Sequence, residues 1–372
     1  MYDVAVVGAG PAGSATALRV LQQLPAARVL LLDAASFPRD KTCGDGIAAH
    51  VIDELVGLGV PSSAWASADV PGLRLSTPSG RAVEQVCARS NRVIRRTDFD
   101  AALVGAAVAR GAILVRHRLR RIDIRSDSVV LDGEIAARVV VGADGANSTV
   151  RRLLGAPAGR SSTVAVAIRG YAPAAADPSS LVIAFGRSRV PAYAWSFPLA
   201  DGGANVGYGV LDRRAGGSRA DLLEGLRRTL PGHEPVASTV RGHQLPLSTG
   251  ARFHPNGRVL LTGDAAAMVN PLTGEGIYYA IVTGAMAADS AVFGAGAGAA
   301  HHAAVQQHFC RHHRHVGVLS RLVRSPRLLD AAINASARHR SVFDAAVELG
   351  LGNGTAPAGA LARIAVGYVT GR

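Results

Sequence analysis

Val4-Ala5-Val6-Val7-Gly8-Ala9-Gly10-Pro11-Ala12-Gly13 is the stretch that decides the fold. Its four apolar residues end at a glycine, as a buried parallel strand does. The glycines fall as GxGxxG, and Ala15, Leu18, Leu21 and Leu24 follow at helical spacing up to the break at Pro25. Residues 28–32 give a second apolar strand, and Asp33 stands at its end. Each part has a mechanical reason. Gly8 makes the tight turn, Gly10 lets backbone approach a pyrophosphate, and Gly13 lets helix and strand pack closely, with the helix N-terminus facing the phosphates. An acid at the end of the second strand accepts hydrogen bonds from ribose hydroxyls. GxGxxG alone is a weak signal, but strand, helix, strand and acid in register point to dinucleotide binding.

Composition narrows the class. In 372 residues, 48% hydrophobic and 18% charged, the chain is globular and long enough for one large domain or two. A formal net charge of +13 would attract nucleic acid, an anionic membrane or phosphorylated small molecules. Aromatics make up only 5%, without basic–aromatic interleaving, and every basic residue but Lys41 is arginine, so no nucleic-acid partner is expected. Cys43, Cys87 and Cys310 stand far apart in no metal-ligand spacing, which argues for a reducing compartment and against a disulfide framework. The chain opens on a strand without a leader, and no run of about 18 apolar residues appears. The expectation is a cytoplasmic protein, with peripheral contact to a membrane surface left open and the oligomeric state unread.

Residues 37–47, FPRDKTCGDGI, follow the second strand and pack one thiol, two bases, two acids and two glycines into one loop. That set suits backbone held close to a ligand; a solvated crossover loop is the alternative. A helix is expected over 48–58 and a small hairpin over 71–88. Thr97 or Asp98 is placed to cap a helix to Arg110, with Gly111 at its C-cap. Arg95 and Arg96 just before it read either as a solvated pair or as contacts to phosphate or an isoalloxazine. Residues 116–131 read as meander strands. Residues 139–141 form a buried strand running into Asp144-Gly145 and a capped helix. Strand-like stretches at 164–168, 181–185 and 205–210 make the middle third an antiparallel sheet. The strand 258–261 leads to Gly263-Asp264 and, from Glu275 onward, a long apolar helix. Residues 300–372 are helical by pattern. There His308, His312 and His315 share one helical face, read as a polar surface in preference to a metal site, for which no carboxylate or supporting partner is visible.

Three strand-to-turn elements therefore converge: residues 8–13, Asp144-Gly145 and Gly263-Asp264. Together they resemble the FAD-binding domain of flavoproteins with the p-hydroxybenzoate hydroxylase type of fold. Within that group the chain resembles the geranylgeranyl reductase family on three segments: FPRDKTCGDGI, the YxWxFP motif at Tyr193, Trp195, Phe197 and Pro198, and GDAAAMVNPLTGEGI at 263–277.

That resemblance implies an α/β (α+β overall) protein. It would have a Rossmann-like βαβ domain of the p-hydroxybenzoate hydroxylase/glutathione reductase type, an antiparallel-sheet substrate domain and a helical C-terminal region. The expected division is 1–70, 90–158 and 252–300 for a discontinuous FAD-binding domain, 71–89 and 159–251 for the substrate domain, and 301–372 for the helices. FAD would be held non-covalently by Gly8, Gly10, Ala12, Gly13, Asp33, Arg39, Cys43, Gly44, Arg96, Asp144, Gly145, Gly263, Asp264, Gly274, Gly276 and Ile277. Asp264 would take the ribityl chain, and the N-terminus of the following helix would face the pyrimidine edge of the flavin.

The implied reaction saturates an isolated double bond of an isoprenoid, a polyprenyl lipid, quinone side chain or prenyl diphosphate, with hydride from reduced flavin and a proton from an acid. Cys43 is the candidate donor. Asp45 joins it in the catalytic set, although it suits shaping the loop better than acting as the acid. Tyr193, Trp195, Phe197 and Pro271 are the substrate candidates; the three aromatics lie on one strand face, a tunnel wall or ordinary sheet core. Electrons would come from NAD(P)H or ferredoxin. The rivals are an FAD monooxygenase or epoxidase using NAD(P)H and O2, and an electron-transfer flavoprotein partner. Quinone-reducing relatives of the latter kind carry an iron–sulfur module, which three scattered cysteines cannot hold.

Overall fold

The computed structural model describes residues 1–156, 164–186, 191–212, 217–249 and 253–370. β1 (Tyr2–Val7) passes into α1 (Pro11–Gln23) and returns as β2 (Val29–Asp33), the βαβ unit expected from the glycine spacing. The Cys43 loop ends in β3 (Gly46–Ile47), then come α2 (Ala49–Gly57) and a hairpin of β4 (Ala68–Ser76) and β5 (Ala82–Val93). Next are α3 (Arg96–Ala109), β6 (Ile113–Arg116), β7 (Ile122–Ile124), β8 (Val129–Leu131), β9 (Ile135–Gly142) and α4 (Thr149–Leu153). The middle holds β10 (Val164–Ala172), β11 (Ser180–Phe185), β12 (Ala192–Pro198), β13 (Ala204–Val210), α5 (Arg219–Thr229) and β14 (Arg241–Pro246). β15 (Val259–Leu261), α6 (Ile277–Ala291), α7 (Ala297–Leu322), α8 (Pro326–Arg338), α9 (Arg340–Leu351) and α10 (Ala358–Thr370) complete the chain.

Two sheets result. The first, seven-stranded, runs β6-β2-β1-β9-β8-β7 with β15 also on β9. Its strands β6, β2, β1, β9 and β15 are parallel, which is why their centres read as unbroken Val/Leu runs: helices cover both faces and the central side chains are buried. The exception is β6, an exposed edge. The second, eight-stranded, runs β14-β10-β13-β12-β11-β4-β5-β3. Because β3 pairs with β5, the loop carrying Cys43 is anchored in the first sheet at β2 and in the second at β3. α1 and α6 touch so closely that the Thr16 hydroxyl lies 2.9 Å from the carbonyl oxygens of both Ala12 and Gly284.

Several expectations need correction. β6, of which only Arg116 falls within the expected meander, joins β2 in parallel in the first sheet, and the meander is formed by β7, β8 and β9. Residues 117–121 make no strand, because Asp132 gathers the amides of Arg120 and Arg121 (3.0 and 2.7 Å) and the ring of His117 (2.6 Å) into a turn. Neither Thr97 nor Asp98 caps α3, which starts at Arg96 with Arg95 at its N-cap and no capping side chain. The second sheet is not wholly antiparallel, since β11 runs parallel to β4. The expected boundaries at 158/159 and 251/252 fall outside the described residues.

His301 of α7 is buried, with its Nε2 3.0 Å from the Leu261 carbonyl oxygen, to which it donates. Burial pushes its pKa down to about 4, and the carbonyl opposes this only in part. The folded chain therefore holds this ring neutral while the unfolded chain protonates it below its usual value of 6.5. Its stability contribution is intact above that value and is lost as pH falls toward 4, by roughly 3 kcal/mol in full. Urea unfolding at pH 7 and pH 5 should show a drop in the wild type that His301→Gln reduces without abolishing, since His243 is held down to about 4 by burial as well. An equal drop in both would reject this assignment.

Candidate active site

The turn after β1 and the end of β2 are tied together: the Ala9 amide donates to Asp33 Oδ2 at 2.9 Å and the Ala35 amide to Oδ1 at 2.8 Å. From Asp33 an ionic chain runs inward. Arg39 lies 3.8 Å from Asp33 and 3.2 Å from the fully buried Asp100, and Asp100 takes a two-pronged contact from Arg96 at 2.6 and 2.8 Å. Burial opposes charge on Arg96, but Asp100 outweighs it and holds the guanidinium cationic. Arg96 is thus no solvated surface group, and its far side meets Cys43.

Cys43 stands beside the Arg96 guanidinium and the Asp45 amide, both of which favour its thiolate. Burial nevertheless pushes the thiol up, against the pull of Arg96. The loop is clasped from the second sheet by Asn205 of β13, whose Nδ2 donates to the Cys43 carbonyl and to Asp45 Oδ2, both at 2.9 Å, while its Oδ1 accepts from Trp195 Nε1 at 2.9 Å. Tyr171 adds a hydroxyl to Asp45 Oδ2 at 2.9 Å. Asp45 is fully buried at φ 61°, a left-handed conformation that a non-glycine residue keeps only when its partners enforce it.

These groups open onto a cavity of about 1400 Å³, beyond the roughly 300–1,000 Å³ of ordinary small-molecule pockets. At one end its wall is Gly8, Gly10, Asp33, Asp144 and Gly145, over the first sheet. At the middle stand Lys41, Cys43, Arg96, His243, Asp264 and the residues 272–277. Beyond them the lining turns apolar, between Leu73, Leu181, Tyr193, Trp195 and Phe197 of the second sheet and Leu319, Ile333, Phe343 and Ile364 of the C-terminal helices. Of the expected site residues, Gly13, Asp45, Gly263 and Pro271 are not in the wall. The three aromatics of β12 line the cavity with their rings tilted against one another, centroids 6.0 and 6.4 Å apart.

An elongated cavity that starts at an acid, crosses a glycine turn at the α1 N-terminus and keeps Asp144 Oδ1 buried without a protein partner fits a dinucleotide. Residues 1–288 match the FAD-binding domain family. A menaquinone reductase of Mycolicibacterium smegmatis is 35% identical, over 94% of this chain and 91% of that one. A digeranylgeranylglycerophospholipid reductase of Methanopyrus kandleri is 34% identical, over 78% of this chain and 80% of that one. The chain belongs to the geranylgeranyl reductase family of FAD-dependent oxidoreductases. The fold agrees: the crystal structure of a geranylgeranyl bacteriochlorophyll reductase-like protein from Thermoplasma acidophilum superposes with a TM-score of 0.80, covering 93% of this chain and 96% of that one at 22% identity.

Within this reductase fold three groups stand at the cavity that sequence reasoning passed over. Lys41, set aside there as a compositional rarity, donates from Nζ to His243 Nε2 at 2.7 Å. Burial lowers the Lys41 pKa, and burial together with Lys41 pushes His243 down to about 4, so the ring accepts as a neutral imidazole. Only the sheet brings these residues, 202 positions apart, together. Glu275 is the third. Its Oε1 accepts from the Tyr278 amide at 2.8 Å, so its carboxylate occupies the α6 N-terminus where the flavin edge was expected. Burial pushes that carboxyl up to about 7, so it is half-neutral near neutral pH. Asp264 nearby is also raised by burial, opposed by Lys41 and Arg96.

The histidines of α7 serve the fold. His312 donates from Nδ1 to the Gly354 carbonyl at 2.7 Å and accepts the Tyr279 hydroxyl at 2.6 Å, His308 pairs with Asn353 at 2.9 Å, and His315 accepts the Ala356 amide at 2.9 Å. Together they fasten the α9–α10 connection, and among the described residues no group of three or more His, Cys, Asp or Glu is placed to hold a metal.

Proposed function

We propose that this chain saturates carbon–carbon double bonds of a long prenyl chain carried by a quinone or a lipid. The observation that carries this reading is the apolar arm of the cavity, which leads from Cys43 past Trp195 to the C-terminal helices. It agrees with relatives named for reducing menaquinone and a digeranylgeranyl lipid. The proposed division of labour gives 1–70, 90–158 and 252–300 to the cofactor, 71–89 and 159–251 to the substrate, and 301–372 to covering the arm.

Bound FAD, when reduced, supplies the hydride. Asp33, the residues 8–13, Asp144 and Asp264 would hold it along the first sheet. The remaining work falls to the chain. An isolated alkene has no carbonyl to polarise, so placement of its two carbons and a nearby proton carry the catalysis. As the π bond breaks, one carbon takes the hydride and the other takes the Cys43 proton. Burial keeps that thiol protonated until substrate arrives; Arg96 and the Asp45 amide then receive the thiolate charge, and solvent returns the proton. Asp45 itself, held by Asn205 and Tyr171, sets the loop and does not reach the cavity. Tyr193, Trp195 and Phe197 keep water from the reacting carbons. Electrons are proposed to come from NAD(P)H or a ferredoxin.

Anaerobic turnover of dithionite-reduced protein with a polyprenyl quinone, followed by mass spectrometry, tests the reading. The expected product is heavier by two hydrogens per double bond. A product containing added oxygen, or none without air, would replace it with the monooxygenase reading.

A further inference from the structure

Helix α10 reads AGALARIAVGYVT, apolar along its length with Arg363 as its single charge. Of its residues only Ala360 is buried, whereas Leu361, Val366, Tyr368 and Val369 are exposed, Val366 by 62% and Val369 by 82%. Single exposed apolar residues need no explanation, but a row of them along one helix does. A second exposed group, Val318 and Leu322, lies at the end of α7, with Arg321, Arg324 and Arg327 exposed around the turn into α8. The two groups meet at the apolar arm, since Leu319, Val323, Arg324, Leu361 and Ile364 all line it. Arg324 and Leu361 are at once wall and surface, so the arm reaches solvent between α7 and α10.

The charge around this opening is predominantly positive. No acidic residue occurs between Asp289 and Asp330, and none after Glu348. Asp330 is engaged by the hydroxyls of Thr77 and Ser79 at 2.6 and 2.7 Å, and Asp344 by Arg340 at 2.8 Å. Among the described residues no helix is long and apolar enough to cross a membrane, so any lipid contact is lateral.

We infer that this rim docks on an anionic lipid surface, with α10 lying in the interface and Arg321, Arg324 and Arg327 on the headgroups. Apolar side chains beside arginines are what a helix needs to lie there. A second copy would instead set like charges against each other around the opening. Docking in this way would open the arm onto the acyl layer, where a prenyl chain resides; that purpose rests on the proposed function, while docking itself is measured without turnover.

Co-sedimentation of the FAD-loaded full chain with phosphatidylglycerol/phosphatidylcholine vesicles, against phosphatidylcholine alone, tests this. Binding to the anionic vesicles should be about ten-fold tighter or more, and should weaken with salt. The variants Val366→Asp/Val369→Asp and Arg321→Ala/Arg327→Ala should each lose about ten-fold of it. Their turnover of a short, water-soluble prenyl substrate should stay at the wild-type rate. Equal binding to neutral vesicles, binding untouched by either variant, or no vesicle binding with an oligomer that the variants split would each overturn the proposal. Loss of saturation activity with vesicle binding intact would instead count against the proposed function alone.

Discussion

Replacing Cys43 by alanine should leave FAD bound and slow double-bond saturation by about 10²–10⁴-fold, the usual contribution of a positioned proton donor. The half-buried Cys43 lies beside Arg96 and the Asp45 amide and its pKa is raised by burial, so its proton is retained in the resting site and its conjugate base is met by a cation and an N–H. Neither partner donates a proton in its place: Arg96 is held cationic by Asp100, and Asp45 lies outside the cavity wall. The loop should survive the change, because Asn205 grips it through the Cys43 carbonyl and the Asp45 carboxylate, not through sulfur. Flavin absorbance and melting temperature should therefore match the wild type while single-turnover saturation falls. Unchanged saturation would remove Cys43 as the donor and leave it a packed thiol.

The second large effect is at Gly13. A Cβ added there would stand 1.8 Å from the Gly8 carbonyl oxygen and 3.1 Å from Val6, and the first of these is backbone with nowhere to go. Gly8 itself sits at φ +100° with Ala143 pressed against it, so the turn cannot yield toward β9. Gly13→Ala must instead push α1 off β1, at a cost of about 1–3 kcal/mol, and move the helix N-terminus away from the phosphates. The variant should purify without flavin and melt lower even as apoprotein. Gly10→Ala provides the contrast: its Cβ meets only the end of Arg39 at 3.5 Å, so the apoprotein should keep its stability while FAD binding weakens. A Gly13→Ala protein that retains both flavin and stability would show that the helix is free to retreat.

Much of the fold was legible because the relevant signals are local. The run of residues 4–7, the glycine spacing and Asp33 lie within one supersecondary unit, and a buried parallel strand leaves a continuous apolar run that little else produces. Alternation in β12 likewise put Tyr193, Trp195 and Phe197 on one face, but whether that face was core or cavity wall depended on what stood opposite. The errors have the same origin. The edge strand β6 goes unread before Arg116, because its exposed side chains give no buried-strand signal and only β2 pairs it into the sheet. Arg96, left open between a solvated pair and a cofactor contact, is decided only when Asp100, one turn on, and Cys43, from a distant loop, bury it.

The sequence by itself determined the dinucleotide unit, the three ligand-facing turns and the thiol in the loop after β2, because each is written in neighbouring residues whose backbone demands are specific. Only the tertiary structure decided that Asn205 clasps this loop, that Lys41 finds His243, that Glu275 sits on the α6 N-terminus, and that α7 and α10 frame an apolar opening. These are pairings between segments far apart in the chain. Their geometry is set by how the two sheets and the helices pack, and burial, not spacing, then fixes which of the groups carry charge.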